Sequence, residues 1–373
     1  MSERVYLQPL TFAPSPQAFD GDCVRLAGGM VYAREFAVIV TADGAVASRA
    51  LATAGTIGEV LAALPDELRD EAEAQWANLR MAHPPLELGG RTVRLDQPQV
   101  MGILNVTPDS FSDGGKFLDD PEEAHAHAAA MHEAGASIID VGGESTRPGA
   151  AAVWEGDELK RVIPAVERCV AMGAAVSIDT RRPAVMEAAL AAGAAMINDV
   201  SALRHDPRSL EFAAASGRPV ILMHAPGPSG DKAEDLHKDG AYRNVVFEVF
   251  DWLAAARDRA VAAGVARGNV ILDPGIGFGK SLADNLALMN ALPLFHALGQ
   301  PLLLGASRKR SIGALSGEAP AHRRLGGSLA LAQVGMDAGV QLLRVHDVFE
   351  TVQARNVWRG LRDAALTDFS GVG

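Results

Sequence analysis

From Gln97 onward the chain repeats one unit: a short apolar run, one or two polar residues, then an Ala-rich stretch of helical character. The runs are Val100–Leu104, Ser137–Asp140, Ala175–Ile178, Ala194–Ile197, Val220–Met223, Val270–Leu272, Leu302–Leu304 and Gln341–Leu343. Hydrophobicity continues along each run rather than alternating, which suits parallel strands covered on both faces. In one intervening stretch Leu159, Val162, Ile163, Val166 and Val170 recur at helical spacing, and Pro164 within it is a candidate kink. Eight such strands in roughly 270 residues predict an α/β fold, a (β/α)8 barrel, whose usual size is about 250. A doubly wound open sheet has the same periodicity and is the alternative.

Residues 1–96 lack this rhythm. Glu35–Val40 and Leu86–Leu95 have strand character, the second divided by Gly89-Gly90 as in a tight hairpin, and Pro65–Met81 is acidic and helical. The expected organisation is therefore a small N-terminal α+β extension without a chemical motif, followed by a barrel over 97–373. The acidic residues within Asp66–Glu73 fit a solvated face.

Composition narrows the partners. A balance of 34 basic against 46 acidic residues gives a net charge of −12, and no basic stripe marks a nucleic-acid binder. No apolar run approaches the roughly 18 residues that span a bilayer. Cys23 and Cys169 have no metal-ligand spacing, and Met1-Ser-Glu-Arg4 lacks the pattern of a secretory leader. A reducing, cytoplasmic setting is the expectation. An acidic chain that handles an anion must gather its cations locally.

The residue after each run carries the functional argument. In order these are Asn105, Gly142-Gly-Glu-Ser-Thr-Arg147, Asp179, Asn198-Asp199, His224, Asp273, Ser307-Arg-Lys309 and Arg344-Val-His346. In a barrel the C-terminal strand ends converge on one mouth, where active sites lie. Each residue alone fits an ordinary turn; the whole series points to one polar pocket. Two other patterns fail. Gly279-Lys280-Ser281 lacks the glycine five positions earlier that a phosphate-cradling loop requires, since Pro274 stands there. His125, His127 and His132 lie on an Ala-rich helix away from the strand exits, as on a solvated face.

Asn105-Val-Thr-Pro-Asp-Ser-Phe111-Ser-Asp113-Gly-Gly115, Glu144-Ser-Thr-Arg-Pro148, Ser307-Arg-Lys309 and Arg344-Val-His346-Asp347, in this order, resemble the dihydropteroate synthases of folate biosynthesis. The resemblance spans about residues 98–360. It implies a pterin-binding barrel that joins (7,8-dihydropterin-6-yl)methyl diphosphate to 4-aminobenzoate, with Mg²⁺ on the diphosphate and commonly a homodimer.

A pterin ring offers an amide-like edge and an amino group, so it calls for a carboxylate that only accepts and an amide that does both. By resemblance Asp273 and Asn198 grip that edge with Asp179 close by, Lys309 reaches the ring carbonyl and N5, and Met223 and Phe278 form apolar walls. Asn105 offers Mg²⁺ a hard oxygen, while Thr146, Arg344 and His346 meet the diphosphate. Phe111, Asp113, Thr146, Arg147 and Pro148 sit on two long loops that build the aminobenzoate site. Its carboxylate faces Arg310 and Ser311, at the start of an expected helix.

The expected chemistry is a dissociative substitution without a covalent enzyme intermediate. Mg²⁺, Arg344 and His346 ease diphosphate departure, and Asp179 and Asp273 stabilise the cation left on the pterin methylene. Because Arg344 and His346 leave the eighth strand, away from Asp273 and Asn198, loss of either is expected to spare affinity for a bare pterin. Two departures from the family pattern stand beside the core motifs: Ala225-Pro-Gly-Pro-Ser-Gly-Asp231 after His224, and Asp284 where His commonly precedes Asn285. The alternatives are a pterin-dependent methyltransferase working with a corrinoid partner, and a non-enzymatic pterin-binding homologue. The first would share Asp179, Asn198 and Asp273 but would not need Lys309, Arg344 and His346 for a diphosphate.

Overall fold

In the computed structural model, which describes residues 3–13, 21–106, 121–144, 153–226 and 242–364, the chain begins with an antiparallel sheet. It consists of β1 (Glu3–Ala13), β2 (Val24–Arg25), β3 (Tyr32–Ala42) and β4 (Ala45–Thr53), with β3 pairing to each of the others. Helices α1 (Ile57–Ala62) and α2 (Asp66–Leu79) follow, and α2 packs across the sheet. Buried Gln75 of α2 serves as a hydrogen-bonding partner for β1, accepting from Leu7 N–H at 2.9 Å and donating to Val5 O at 2.7 Å. That satisfies two main-chain groups in an otherwise apolar interior.

A hairpin comes next, β5 (Leu86–Leu88) and β6 (Arg91–Val93), turning at Gly89-Gly90 with φ of 57° and 83°. Both residues need the left-handed region, which glycine enters without steric cost. The hairpin and the residues after it place Leu86, Leu88, Val93 and Leu95 in one cluster with Met101, Ile138, Met196, Ile221, Ile271 and Leu342 of the strands that follow. These residues close the floor of the barrel, so packing groups the hairpin with residues 97 onward.

The barrel alternates β7 (Gln99–Asn105), α3 (Pro121–Glu133), β8 (Ile138–Gly142), α4 (Glu155–Ala171), β9 (Val176–Asp179), α5 (Pro183–Ala191), β10 (Met196–Asp199) and α6 (Pro207–Ser216). It continues through β11 (Val220–Met223), α7 (Val245–Ala262), β12 (Val270–Asp273), α8 (Leu282–Asn290), β13 (Leu303–Leu304), α9 (Arg310–Leu315), α10 (Leu325–Asp337), β14 (Leu342–Val345) and α11 (Val348–Ala364). Eight parallel strands pair in the order β12-β11-β10-β9-β8-β7-β14-β13. A parallel bridge from Leu272 to Leu302, with Leu272 N–H donating to Pro301 O at 2.9 Å, joins the two ends. The closed barrel is thereby chosen over the open sheet. Pro164 lies inside α4 without ending it.

Register brings the chemistry to one level. Asn105 pairs with Gly142, Gly142 with Asp179, and Asp179 with Asn198 across four neighbouring strands, while Met223 pairs with Asp273.

The N-terminal sheet docks on the outside of the barrel. Tyr6 stacks on Phe247 of α7 at 4.2 Å and donates its hydroxyl to Asp251 at 2.9 Å. Arg4 reaches Asp251 at 3.1 Å, and Asn78 donates to Ala297 O at 2.9 Å. Tyr6→Ala is expected to destabilise the chain by about 3–5 kcal/mol, the range for emptying a buried aromatic site. Tyr6→Phe, which loses only the bond to Asp251, should cost about 1.5 kcal/mol. Urea unfolding of both variants checks the order. Equal stability would mean that the sheet does not contribute to the barrel's fold.

Candidate active site

The strand ends present a cluster of charges in which no member acts alone. Arg344 of β14 projects across the mouth. Its Nε donates to Asp140 Oδ2 at 2.7 Å and its Nη2 to Asp179 Oδ2 at 2.7 Å. Asp140 Oδ2 also accepts from Asn198 Nδ2 at 3.0 Å. That bond fixes the amide of Asn198 and leaves its carbonyl oxygen available as an acceptor. Burial works against the charge on Arg344, but Asp140 and Asp179 outweigh it and raise its pKa above the usual value. Asp140 was not singled out in the sequence. It lies inside the run Ile138-Ile-Asp140-Val, fully buried, and among the described residues its Oδ1 has no hydrogen-bond partner.

Asp273 ends β12 with Oδ1 accepting from Gly275 N–H at 2.7 Å. Burial pushes its pKa up, opposed by that bond and by the charges of Lys309, Lys280 and Arg344. Gly275 has no alternative residue: its φ is +69°, and a Cβ there would lie 1.9 Å from His224 O. Lys309 stands just before α9, with Nζ 4.2 Å from the centre of the Phe278 ring, a cation–π contact. Phe278 packs in turn on Val200, Met223 and Ala225.

The backbone aims Lys309 through strain beside it. Arg308 has φ of +56°, rare for a side-chain-bearing residue. It is held there by its N–H to Ser328 Oγ (2.9 Å) and by Nε to Asp347 Oδ2 (3.1 Å). Ser307 Oγ meets His346 twice, accepting its N–H at 3.2 Å and lying 3.1 Å from Nδ1. Burial and the neighbouring Arg344 lower the Lys309 pKa to about 8, against the pull of Asp273 and Asp179. Contacts that need its ammonium form are complete well below that value and disappear as pH rises through it. An alkaline limb near pH 8 is therefore expected in the rate at low concentration of any substrate that Lys309 contacts. A profile flat through this range would remove the ammonium from the reaction.

Several expectations are corrected. Arg344 does not stand apart from Asn198, because two buried carboxylates hold it and one of them also holds Asn198. His224 turns away from the mouth, its ring edge-on to Trp252 at 4.9 Å and its Nδ1 2.9 Å from Lys280 Nζ. Asp199 is consumed by its own turn, accepting from Ser201 N–H and Oγ–H at 2.7 Å and from Leu203 N–H at 3.0 Å. Asp284, the departure beside Asn285, completes a capping box with Ser281 at the start of α8. Arg310 is exposed and Ser311 half-buried in the first turn of α9. Phe111, Asp113, Thr146, Arg147 and Pro148 lie outside the described residues.

Where the second loop departs, Glu144 receives Arg181 at 3.3 Å and Arg182 at 3.4 Å, and Arg182 also pairs with buried Glu158. Arg181 and Arg182 were not singled out in the sequence; their adjacency directly after Asp179-Thr180 is the signal that could have marked this anchor.

Asn105 and Asp179 flank Gly142: a Cβ built there would lie 3.5 Å from Asn105 Oδ1 and 3.6 Å from Asp179 Oδ2. Among the described residues no group of three or more His, Cys, Asp or Glu side chains could hold a metal. This donor set does not make a resident metal cage. A single amide oxygen fits an ion such as Mg²⁺ that keeps its waters and arrives with substrate phosphate.

A closed parallel barrel that gathers carboxylates, an amide and a lysine at one mouth is the setting of an enzyme site, and the chain belongs to the pterin-binding enzymes, the family whose sequence model matches residues 101–346. Within the family its relatives are dihydropteroate synthases. The Escherichia coli enzyme is 46% identical over 269 residues, covering 72% of this chain and 93% of its own. The Bacillus subtilis enzyme is 45% identical over 250 residues, covering 67% and 83%. Among solved structures, the Xanthomonas albilineans dihydropteroate synthase with 4-aminobenzoic acid superposes with a TM-score of 0.69 at 48% identity, covering 75% of this chain and 98% of that one. The same enzyme in complex with 7,8-dihydropteroate gives 0.66 at 46% identity, covering 74% and 98%.

Proposed function

We infer that this chain is a dihydropteroate synthase, condensing (7,8-dihydropterin-6-yl)methyl diphosphate with 4-aminobenzoate to give 7,8-dihydropteroate and diphosphate. The observation that carries the assignment is the joined set of Asp273, Asn198, Asp179, Lys309 and Arg344 at one barrel mouth, in a chain 46% identical to a dihydropteroate synthase.

In this reading the pterin lies between the Met223–Phe278 wall and Lys309. Asp273 accepts from the amino edge and the Asn198 carbonyl oxygen accepts beside it. Lys309 donates to the ring carbonyl and N5. Asp179 and Asp273 stabilise positive charge on the methylene as the C–O bond to diphosphate breaks. The aromatic amine then attacks that carbon and loses a proton, and no side chain becomes covalently attached. His346, Thr146 and the remaining N–H groups of Arg344 receive the diphosphate. Asn105 is the residue that would hold Mg²⁺, which when bound would neutralise charge on the leaving group. By the same resemblance Phe111, Asp113, Thr146, Arg147 and Pro148 belong to the aminobenzoate site, with Arg310 and Ser311 at its carboxylate.

A homodimer is part of the same reading. It is supported by Leu315, Val334, Phe349, Val357 and Leu361, large apolar side chains left exposed on α9, α10 and α11. A cytoplasmic location accords with the described helices, none of which is long and apolar enough to cross a membrane. Mass spectrometry of the reaction tests the function. 7,8-Dihydropteroate should form only with both substrates present, and chelation of divalent metal should stop it. A chain that binds the pterin substrate without forming product would return the reading to a non-enzymatic homologue.

A further inference from the structure

Behind the Asp273 wall lies a lysine that the mechanism above does not use. Lys280 is buried, 2% exposed, and its ammonium is fully engaged. It donates to Gly275 O at 2.8 Å and to Phe278 O at 3.0 Å, lies 2.9 Å from His224 Nδ1, and reaches His224 O at 3.3 Å. These contacts tie the end of β11 to the loop between β12 and α8. That loop supplies the N–H that Asp273 accepts and the ring that walls the pterin slot. A buried ammonium is costly unless such partners surround it.

We propose that Lys280 is a positioning residue for pterin recognition: it fixes the loop carrying Gly275 and Phe278 and, from behind the pocket wall, keeps the Asp273 carboxylate ionised. The inference rests on the reading of Asp273 as the pterin's acceptor.

The charges around it are few. Asp273 of β12 and Asp284 of α8 favour the ammonium, and Lys309 before α9 opposes it. His224 faces it from β11; burial, Lys280 and Arg204 hold that ring well below its ordinary pKa, so it stays neutral. A neutral ring with Nδ1 unprotonated accepts from the ammonium. Burial brings the Lys280 pKa to about 7, so its charge is present over the acidic range in which a buried carboxylate takes up its proton. Removing that charge raises the Asp273 pKa. Pterin binding, which needs the ionised carboxylate, then fails at a higher pH.

The test is titration calorimetry of a bare 7,8-dihydropterin into wild type, Lys280→Met, Lys280→Gln and Lys280→Arg over the acidic and neutral range, with folding followed by circular dichroism. Lys280→Gln retains donors for the loop carbonyls without the charge, and it carries the comparison if Lys280→Met does not fold. In both neutral variants the acid limb of binding should move up by about one pH unit, the lower end of what one nearby opposite charge contributes. Lys280→Arg should keep the wild-type limb. A folded neutral variant with an unmoved limb, or an arginine variant displaced as far as methionine, overturns the proposal. Wild type that fails to bind pterin at any pH instead contradicts the function assigned to the site.

Discussion

Asp273→Asn is expected to lower pterin affinity by about a hundredfold or more while leaving the barrel folded. The substitution is nearly isosteric, and an asparagine can still accept the Gly275 N–H that Asp273 Oδ1 accepts at 2.7 Å. The amide nitrogen then replaces Oδ2, so a donor faces the donors of the pterin edge. A hydrogen bond to a charged acceptor contributes roughly 1.5–3 kcal/mol, and its loss here is compounded by a donor left facing a donor. Calorimetry on the folded variant measures the effect. Near-wild-type affinity would remove Asp273 from the pterin contact altogether.

Arg344→Ala should be the more damaging change, because it removes a charge from the centre of the cluster. Asp140 is fully buried and Asp179 nearly so, and Arg344 neutralises both at 2.7 Å. Breaking a buried pair by deleting one partner costs about 3–5 kcal/mol. Turnover should fall by about 10²–10³ from the loss of a donor in the site. Affinity for a bare pterin should fall too, since the Asp140 that pairs with Arg344 also sets the Asn198 amide. His346→Ala, which loses the ring contact to Ser307, should reduce turnover and spare bare-pterin affinity. Steady-state kinetics with calorimetry on the two variants separates these roles. A variant without Arg344 that binds bare pterin like wild type would show that the cluster does not act as one unit.

The barrel was legible because its strands are buried on both faces and so leave uninterrupted apolar runs; β9 through β12 are buried at every residue. The site was legible because reactive residues follow those runs directly. Orientation was not legible. His224 and Asp199 follow runs just as Asp179 and Asp273 do, yet one is taken by Lys280 and Trp252 and the other by its own turn. Asp140 was hidden within its run, and its role emerges only when β14 brings Arg344 across the mouth from more than two hundred residues away. In the extension, β1 and β4 lack a continuous apolar signal. β4 is exposed at all but one position, and β1 contains Gln8 and Pro9. Their pairing with β3 is a tertiary choice, as is the seating of Tyr6 on α7.

A crystal structure of the complex with (7,8-dihydropterin-6-yl)methyl diphosphate tests the central claim most directly. The pterin edge should lie within hydrogen-bonding distance of Asp273 and the Asn198 carbonyl oxygen. Its ring should lie between the Met223–Phe278 wall and Lys309, with the diphosphate directed toward His346 and Asn105. A ring bound elsewhere on the barrel, or turned so that its amino edge faces Lys309, would contradict the account.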